Sequence, residues 1–193
     1  MHPAPSFPLL RTEEDDAYDG IPVRFALQRK IIQLATAYMG KVPFLRTISF
    51  LESNGIEQEK WEESQLWHLD FYYTHRLPAL WVYLSDVENT AQGPFTYLPA
   101  EASRRVKKSL MPRRVLDEEI DASGLAGEIK EITGRRLTCF MVDNTRIYHL
   151  GSRMGKGERR SVFMTHFVDP VGEKDWVKGG SIPEDEKLLV SRG

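Results

Sequence analysis

From Val23 to Met39 apolar side chains recur at Leu27, Ile31, Leu34 and Tyr38, the period of one face of an α-helix, and Gly40 supplies the stop. The period then changes. Phe44 to Leu51 reads as a strand, with Phe44, Ile48 and Phe50 on one side of the pleat and Thr47 and Ser49 on the other. Ser53-Asn54-Gly55 marks a turn, and Glu57 to Ser64 a charged surface loop. Short β-like runs follow at Gln65 to Phe71, Leu80 to Leu84, Phe95 to Leu98, Leu137 to Val142, Arg146 to His149 and Ser161 to Val168. Asn89 to Pro94 and Gly151 to Gly157 punctuate them. Many short strands behind one helix predict a mainly β protein, a β-sandwich or jelly roll. The domain is expected over residues 21–170, with a flexible, proline- and acid-rich N-terminal arm over 1–20 and a polar C-terminal tail over 171–193 around Trp176.

Composition narrows the partners. The chain has 193 residues, 41% of them hydrophobic, enough for one domain with a real core. A formal net charge of -2 gives no global field that would recruit nucleic acid or anionic lipid. The one cysteine, Cys139, excludes a disulfide framework and points to a reducing compartment, with the cytoplasm as the expected location. Met1 to Leu10 holds isolated leucines among prolines, neither a signal peptide nor a spanning segment, so no membrane partner is expected.

The chemistry concentrates in His68-Leu69-Asp70. In a strand His68 and Asp70 project to the same side, about 7 Å apart along the chain, while Leu69 points into the opposite layer. His149, at the end of Ile147-Tyr148-His149, is the candidate third ligand. Two histidines and one carboxylate are the donor set that leaves open positions on a non-haem Fe(II). His75 and His166 are the competing imidazoles. His75 sits at an awkward offset from Asp70 for one strand face, and His166 lies among apolar neighbours, where a structural histidine is more common. Neither displaces His149.

Arg159-Arg160 opens the last strand. By alternation Arg160 shares a face with Val162, Met164 and His166, and Arg159 with Ser161, Phe163 and Thr165, so only one of the two looks inward. An inward arginine is costly unless paired, and its fork suits a carboxylate such as that of a co-substrate; the alternative, favoured for an arbitrary Arg-Arg pair, is a strand-edge arginine that snorkels to solvent.

These segments in order, Ser64 to Asp70, Leu80 to Val87, Gly93 to Pro99, Asp143 to His149 and Arg160 to Val162, resemble the phytanoyl-CoA dioxygenase family over roughly residues 30–170. The resemblance implies a double-stranded β-helix, a cupin-like jelly roll with flanking helices, and an Fe(II)- and 2-oxoglutarate-dependent dioxygenase that uses O2 and releases succinate and CO2. It implies that His68, Asp70 and His149 bind iron and that Arg160 holds the distal carboxylate of 2-oxoglutarate. It places Trp81 in the lining of the co-substrate pocket. Ser152 lies one residue from a position where relatives offer a hydroxyl to 2-oxoglutarate. The carboxylate of Asp70 favours hydroxylation or a related oxidation, since halogenating relatives lack it.

Two features depart from the family. The proline is usually followed by Gly-Ser-His, whereas this chain reads Pro99-Ala100-Glu101-Ala102-Ser103, which puts the local loop geometry in question. The N-terminal region is also short for a substrate lid. Tyr72, Tyr73, His75 and Arg76 are candidates to face the substrate, expected to be a small molecule, free or linked to a carrier or CoA. The basic run Arg104-Arg105-Val106-Lys107-Lys108 with Arg113-Arg114 reads either as a solvated helix face, neutralised by Asp117-Glu118-Glu119, or as a receiver of a CoA-like phosphate. Two alternatives remain: a cupin-like metalloenzyme that does not use 2-oxoglutarate, and a non-catalytic jelly-roll binding module.

Overall fold

The computed structural model describes residues 20–58, 60–70, 76–106 and 114–168. The expected arm (apart from Gly20) and tail lie outside these residues, as do Tyr72, Tyr73 and His75. Helix formation starts at α1 (Ile21–Ala26), whose first turn carries Pro22, where the missing N–H is no loss. The single helix expected over Val23 to Met39 is two. Gln28 leaves the helical region at φ -56 and ψ 137, and α2 (Arg29–Met39) begins afresh and ends in the left-handed Gly40 at φ 79. The break re-phases the apolar stripe. Ile32, Ala35 and Met39 form the buried face of α2, and Leu34, expected on it, is 57% exposed.

Among the described residues seven strands follow: β1 (Phe44–Asn54), β2 (Pro78–Tyr83), β3 (Phe95–Tyr97), β4 (Lys130–Ile132), β5 (Cys139–Asp143), β6 (His149–Leu150) and β7 (Arg159–Val168). They make a four-stranded sheet in the order β1-β7-β2-β5 and a three-stranded sheet in the order β4-β3-β6, with every pairing antiparallel. Two short helices, α3 (Ala100–Arg105) and α4 (Asp117–Ala122), lie between β3 and β4.

Side-chain alternation sorts the core into layers. On β2 and β7, Leu80, Val82, Phe163 and Phe167 face the helices and pack with Val23, Leu27, Ile32 and Met39. The opposite face carries Ala79, Trp81, Tyr83 and Val162, which meet Phe95 and Ile147 from the side of the small sheet. Beyond the small sheet Trp67, Leu98, Val115, Ile120, Tyr148 and Leu150 form a third cluster under α3 and α4. A mainly β, two-sheet architecture with flanking helices is therefore present. In β1 a register shift between Leu45 and Thr47 switches the pleat, so that Leu45, rather than Phe44, joins Ile48 against the helices.

Two expected strands are replaced by looser structure. Of the strand expected over Gln65 to Phe71, Phe71 lies outside the described residues, and the rest follows a 3-10 turn at Glu63–Gln65 with isolated bridges, Trp67 to Val115 and His68 to His149. Arg146 to Tyr148 belongs to a turn, and β6 starts only at His149. Among the described residues neither segment has enough paired neighbours to form a ladder.

Candidate metal centre

The bridge between His68 and His149 is the geometric origin of the site. The His68 N–H donates to the His149 carbonyl at 2.9 Å, and the His149 N–H donates to the His68 carbonyl at 3.0 Å. Residues bonded in this reciprocal way present side chains on the same face, and the two rings lie 4.3 Å apart. Trp67 and Leu69 turn to the opposite layer, so the alternation expected of a strand holds although the strand itself is absent.

Each imidazole is oriented by its own backbone. His68 Nδ1 lies 2.7 Å from the Leu66 carbonyl, and His149 Nδ1 lies 3.1 Å from the Ile147 carbonyl. A carbonyl only accepts, so Nδ1 carries the proton in both rings and Nε2 keeps its lone pair. Both Nε2 atoms lie 3.7 Å from the same atom, Asp70 Oδ1. Two donors each about 2.1 Å from one ion would stand about 3 to 3.5 Å apart, so this spacing fits one ion with small adjustment. Donor atoms of His68, Asp70 and His149 all fall within 4.8 Å of one another, and no other such group of three occurs among the described residues. Burial, and then the neighbouring His149, push the His68 pKa down to about 4; burial also pushes His149 down. Both rings are thus neutral at pH 7, the form that ligates metals.

The second oxygen of the carboxylate is occupied. Asn144 Nδ2 donates to Asp70 Oδ2 at 2.9 Å, and the Asp70 N–H donates to the Asn144 carbonyl at 3.0 Å. In the sequence Asn144 is marked only by its place in the Asp143 to His149 segment.

On the large sheet, Arg160 is 6% exposed and shares the inner face with Val162 and Met164, while Arg159 is exposed. Its Nη1 donates to the Gly93 carbonyl, and its Nε has no hydrogen-bond partner among the described residues. Burial lowers its pKa to about 10, so the guanidinium remains charged at neutral pH. Trp81 Nε1 and Ser152 Oγ are likewise buried without a partner among the described residues. Ser152 touches the Arg160 neighbourhood through Gly93, whose Cα is so close that a Cβ there would stand 2.8 Å from Ser152 Oγ. An aromatic series leads from this side to the metal group: Trp81 to Phe95 at 5.1 Å and Phe95 to His149 at 5.6 Å between ring centres.

The remaining expected residues fall elsewhere. His166 is on the inner face beside Thr47, its Nδ1 2.9 Å from Thr47 Oγ1, and burial lowers its pKa. Arg76 lies with its guanidinium 5.2 Å over the Tyr38 ring and bonds the Tyr38 carbonyl. Of the basic run, Lys107, Lys108 and Arg113 lie outside the described residues. Among its described members, Arg105 pairs with Glu128 and Arg114 with Glu63. The Asp117 carboxylate holds Arg153 at 2.7 Å and Trp67 Nε1 at 2.7 Å. A cavity of about 330 Å³ lined by Trp67, Thr96, Glu131, Leu150 and Arg153 opens on the far face of the small sheet and contains none of the three donors.

No protein-family model matches the chain, and no curated protein matches it in sequence. Solved structures do match. EctD from S. alaskensis with bound Fe aligns with a TM-score of 0.60 at 17% identity, over 88% of this chain and 60% of EctD. HygX from Streptomyces hygroscopicus, with nickel, 2-oxoglutarate and hygromycin B bound, aligns at 0.50 and 15% identity, over 86% and 76%. The chain has the fold of these metal- and 2-oxoglutarate-binding proteins. AviO1 from Streptomyces viridochromogenes Tue57 shares it at 0.53 and 17% identity, over 82% of this chain and 66% of AviO1. The chain thus spans somewhat under two thirds of EctD and just under two thirds of AviO1.

Proposed function

We propose that this protein is an Fe(II)- and 2-oxoglutarate-dependent dioxygenase of the phytanoyl-CoA dioxygenase type, with its two sheets forming a double-stranded β-helix, that oxidises a small molecule. The observation that carries the reading is the pairing of the His68–Asp70–His149 group with a buried Arg160 whose Nε is unsatisfied. A buried charge without its partner is expensive, and a fork-shaped cation between two sheets is matched by a carboxylate.

The residues divide the work. His68, Asp70 and His149 hold the ion, two neutral donors and one anionic, which keeps one of its charges uncompensated for an anionic co-substrate. When bound, ferrous iron supplies the activation of O2, with 2-oxoglutarate oxidised to succinate and CO2 as the substrate is oxidised. Arg160 anchors the distal carboxylate of 2-oxoglutarate. Ser152 Oγ adds a hydrogen bond beside it, and Trp81 Nε1 donates into the same space while its ring, with Phe95 and Phe140, keeps water out. Dryness matters because charge–charge and hydrogen-bond terms grow as the local dielectric falls.

A small-molecule substrate is supported by the relatives, since HygX is seen with hygromycin B and EctD with 2-oxoglutarate and 5-hydroxyectoine. That small molecule is free or linked to a carrier or CoA. The free, exposed Cys139 suits a reducing setting such as the cytoplasm.

The test is anaerobic: add Fe(II), then 2-oxoglutarate, and record the visible metal-to-ligand charge-transfer band. The wild type should show it. Metal binding without the band would favour the cupin-like enzyme that does not use 2-oxoglutarate, and no metal binding at all would leave only a binding module.

A further inference from the structure

Asn144 is a buried polar residue whose pattern of bonds is one-sided. It is 1% exposed, in the turn between β5 and β6, and its Oδ1 has no partner among the described residues. An asparagine kept in a core merely to fill space leaves such an acceptor at a cost, so its retained bond should explain it. That bond is the one from Nδ2 to Asp70 Oδ2, backed by the main-chain bond from Asp70 N–H to the Asn144 carbonyl. The amide orientation is dictated by chemistry, since a carboxylate oxygen accepts and only the NH2 side can donate to it.

The turn that carries Asn144 is itself anchored. Asp143 Oδ1 accepts from Thr145 N at 3.0 Å and Thr145 Oγ1 at 2.6 Å, and Oδ2 accepts from Tyr38 Oη of α2 at 2.6 Å. A connected series therefore runs from α2 through Asp143 and its turn to Asn144 and on to Asp70. The same turn leads directly into His149, which fixes His68 through the reciprocal backbone pair.

Resting on the function proposed above, we infer that Asn144 is a positioning residue: it takes up Oδ2 of Asp70 so that Oδ1 alone is presented beside the two Nε2 atoms. Without it the carboxylate is free to rotate or to offer both oxygens, and the second oxygen would compete for a position that 2-oxoglutarate needs. Asn144 thus governs both how tightly the ion is held and how much room is left on it.

The test uses the full chain and compares wild type with Asn144→Leu, which keeps the volume and loses the donor, and with Asn144→Ala. Co(II) is titrated calorimetrically into apoprotein, and the Fe(II)–2-oxoglutarate charge-transfer band is recorded without O2. A loss of about 10- to 100-fold in Co(II) affinity is expected for Asn144→Leu, with a shifted or weakened band in the metal-saturated protein. A purely structural role would lower the melting temperature of the apoprotein but leave the affinity and the band of the folded, saturated protein unchanged, and that result overturns the inference. Should the leucine variant not fold, the same comparison is read on the alanine variant. Wild type that takes up no Co(II) would instead overturn the proposed function, and the inference with it.

Discussion

Arg160 is where stability and function pull apart. A guanidinium in the core with an unsatisfied Nε is a liability to the empty protein. Arg160→Met, close in length and free of polar atoms, should raise the melting temperature of the apoprotein measured in EDTA, by an amount worth on the order of 1 to 4 kcal/mol. The same variant should lose the 2-oxoglutarate charge-transfer band at any accessible concentration. A melting temperature that falls instead would mean that the bond to Gly93 outweighs the burial penalty. The histidines set a second residue-scale expectation. Burial holds the folded pKa of His68 near 4 and depresses His149 and His166 as well, below the ordinary value of about 6.5. As pH falls from about 6.5 towards 4 the unfolded chain protonates His68 while the folded one refuses the proton, so stability is lost on acidification, by up to about 1.4 kcal/mol per pH unit for that ring, and the lowered His149 and His166 act in the same direction. Urea midpoints of metal-free protein at pH 7, 6 and 5 would show the decline, and a flat profile would contradict it.

At the scale of elements, glycines separate a strained turn from a crowded one. Gly40 and Gly93 both have positive φ, 79° and 67°, a conformation that carries a penalty of about 1 kcal/mol for a residue with a Cβ. Nothing lies within 4 Å of a Cβ at Gly40, whereas one at Gly93 would stand 2.5 Å from Met154 Cγ and 2.8 Å from Ser152 Oγ. Gly40→Ala should therefore lower stability by about 1 kcal/mol and leave 2-oxoglutarate binding alone. Gly93→Ala should weaken that binding as well, because it displaces Ser152 and the carbonyl that steadies Arg160. Equilibrium titration of the charge-transfer band with 2-oxoglutarate distinguishes the two. Elements were legible in the sequence where apolar periodicity was strong, as in β2, β7 and the C-terminal half of the helical region. They were not where pairing, not pattern, makes the strand: Lys130-Glu131-Ile132 has no apolar alternation and became β4 only because β3 accepts it. The stripe through Leu34 misled because the break at Gln28 rotates everything after it.

Over the whole molecule the two sheets carry different halves of the chemistry. His149 belongs to the small sheet, and His68 is bonded to it; Arg160 and Trp81 belong to the large sheet. A co-substrate gripped by both would tie the sheets together. Metal at 100 times its Kd should add about 2.7 kcal/mol to stability, and 2-oxoglutarate should add more only when metal is present. Thermal shifts with Co(II), with 2-oxoglutarate and with both would test the coupling, and equal shifts from 2-oxoglutarate with and without metal would deny it. The donors that the sequence pointed to, His68, Asp70 and His149, are brought together, since residue type and alternation are local properties. Asn144 and the Gly93 carbonyl were not legible, because their roles depend on which loops meet across the fold.

The reciprocal backbone pair at His68 and His149 also makes those two amide hydrogens a clock. Neither can exchange with solvent unless the edge of the small sheet peels away, and that peeling is the event that would scatter the donors. Their exchange rates in heavy water would count the openings of the site, residue by residue, without any bound ion to watch.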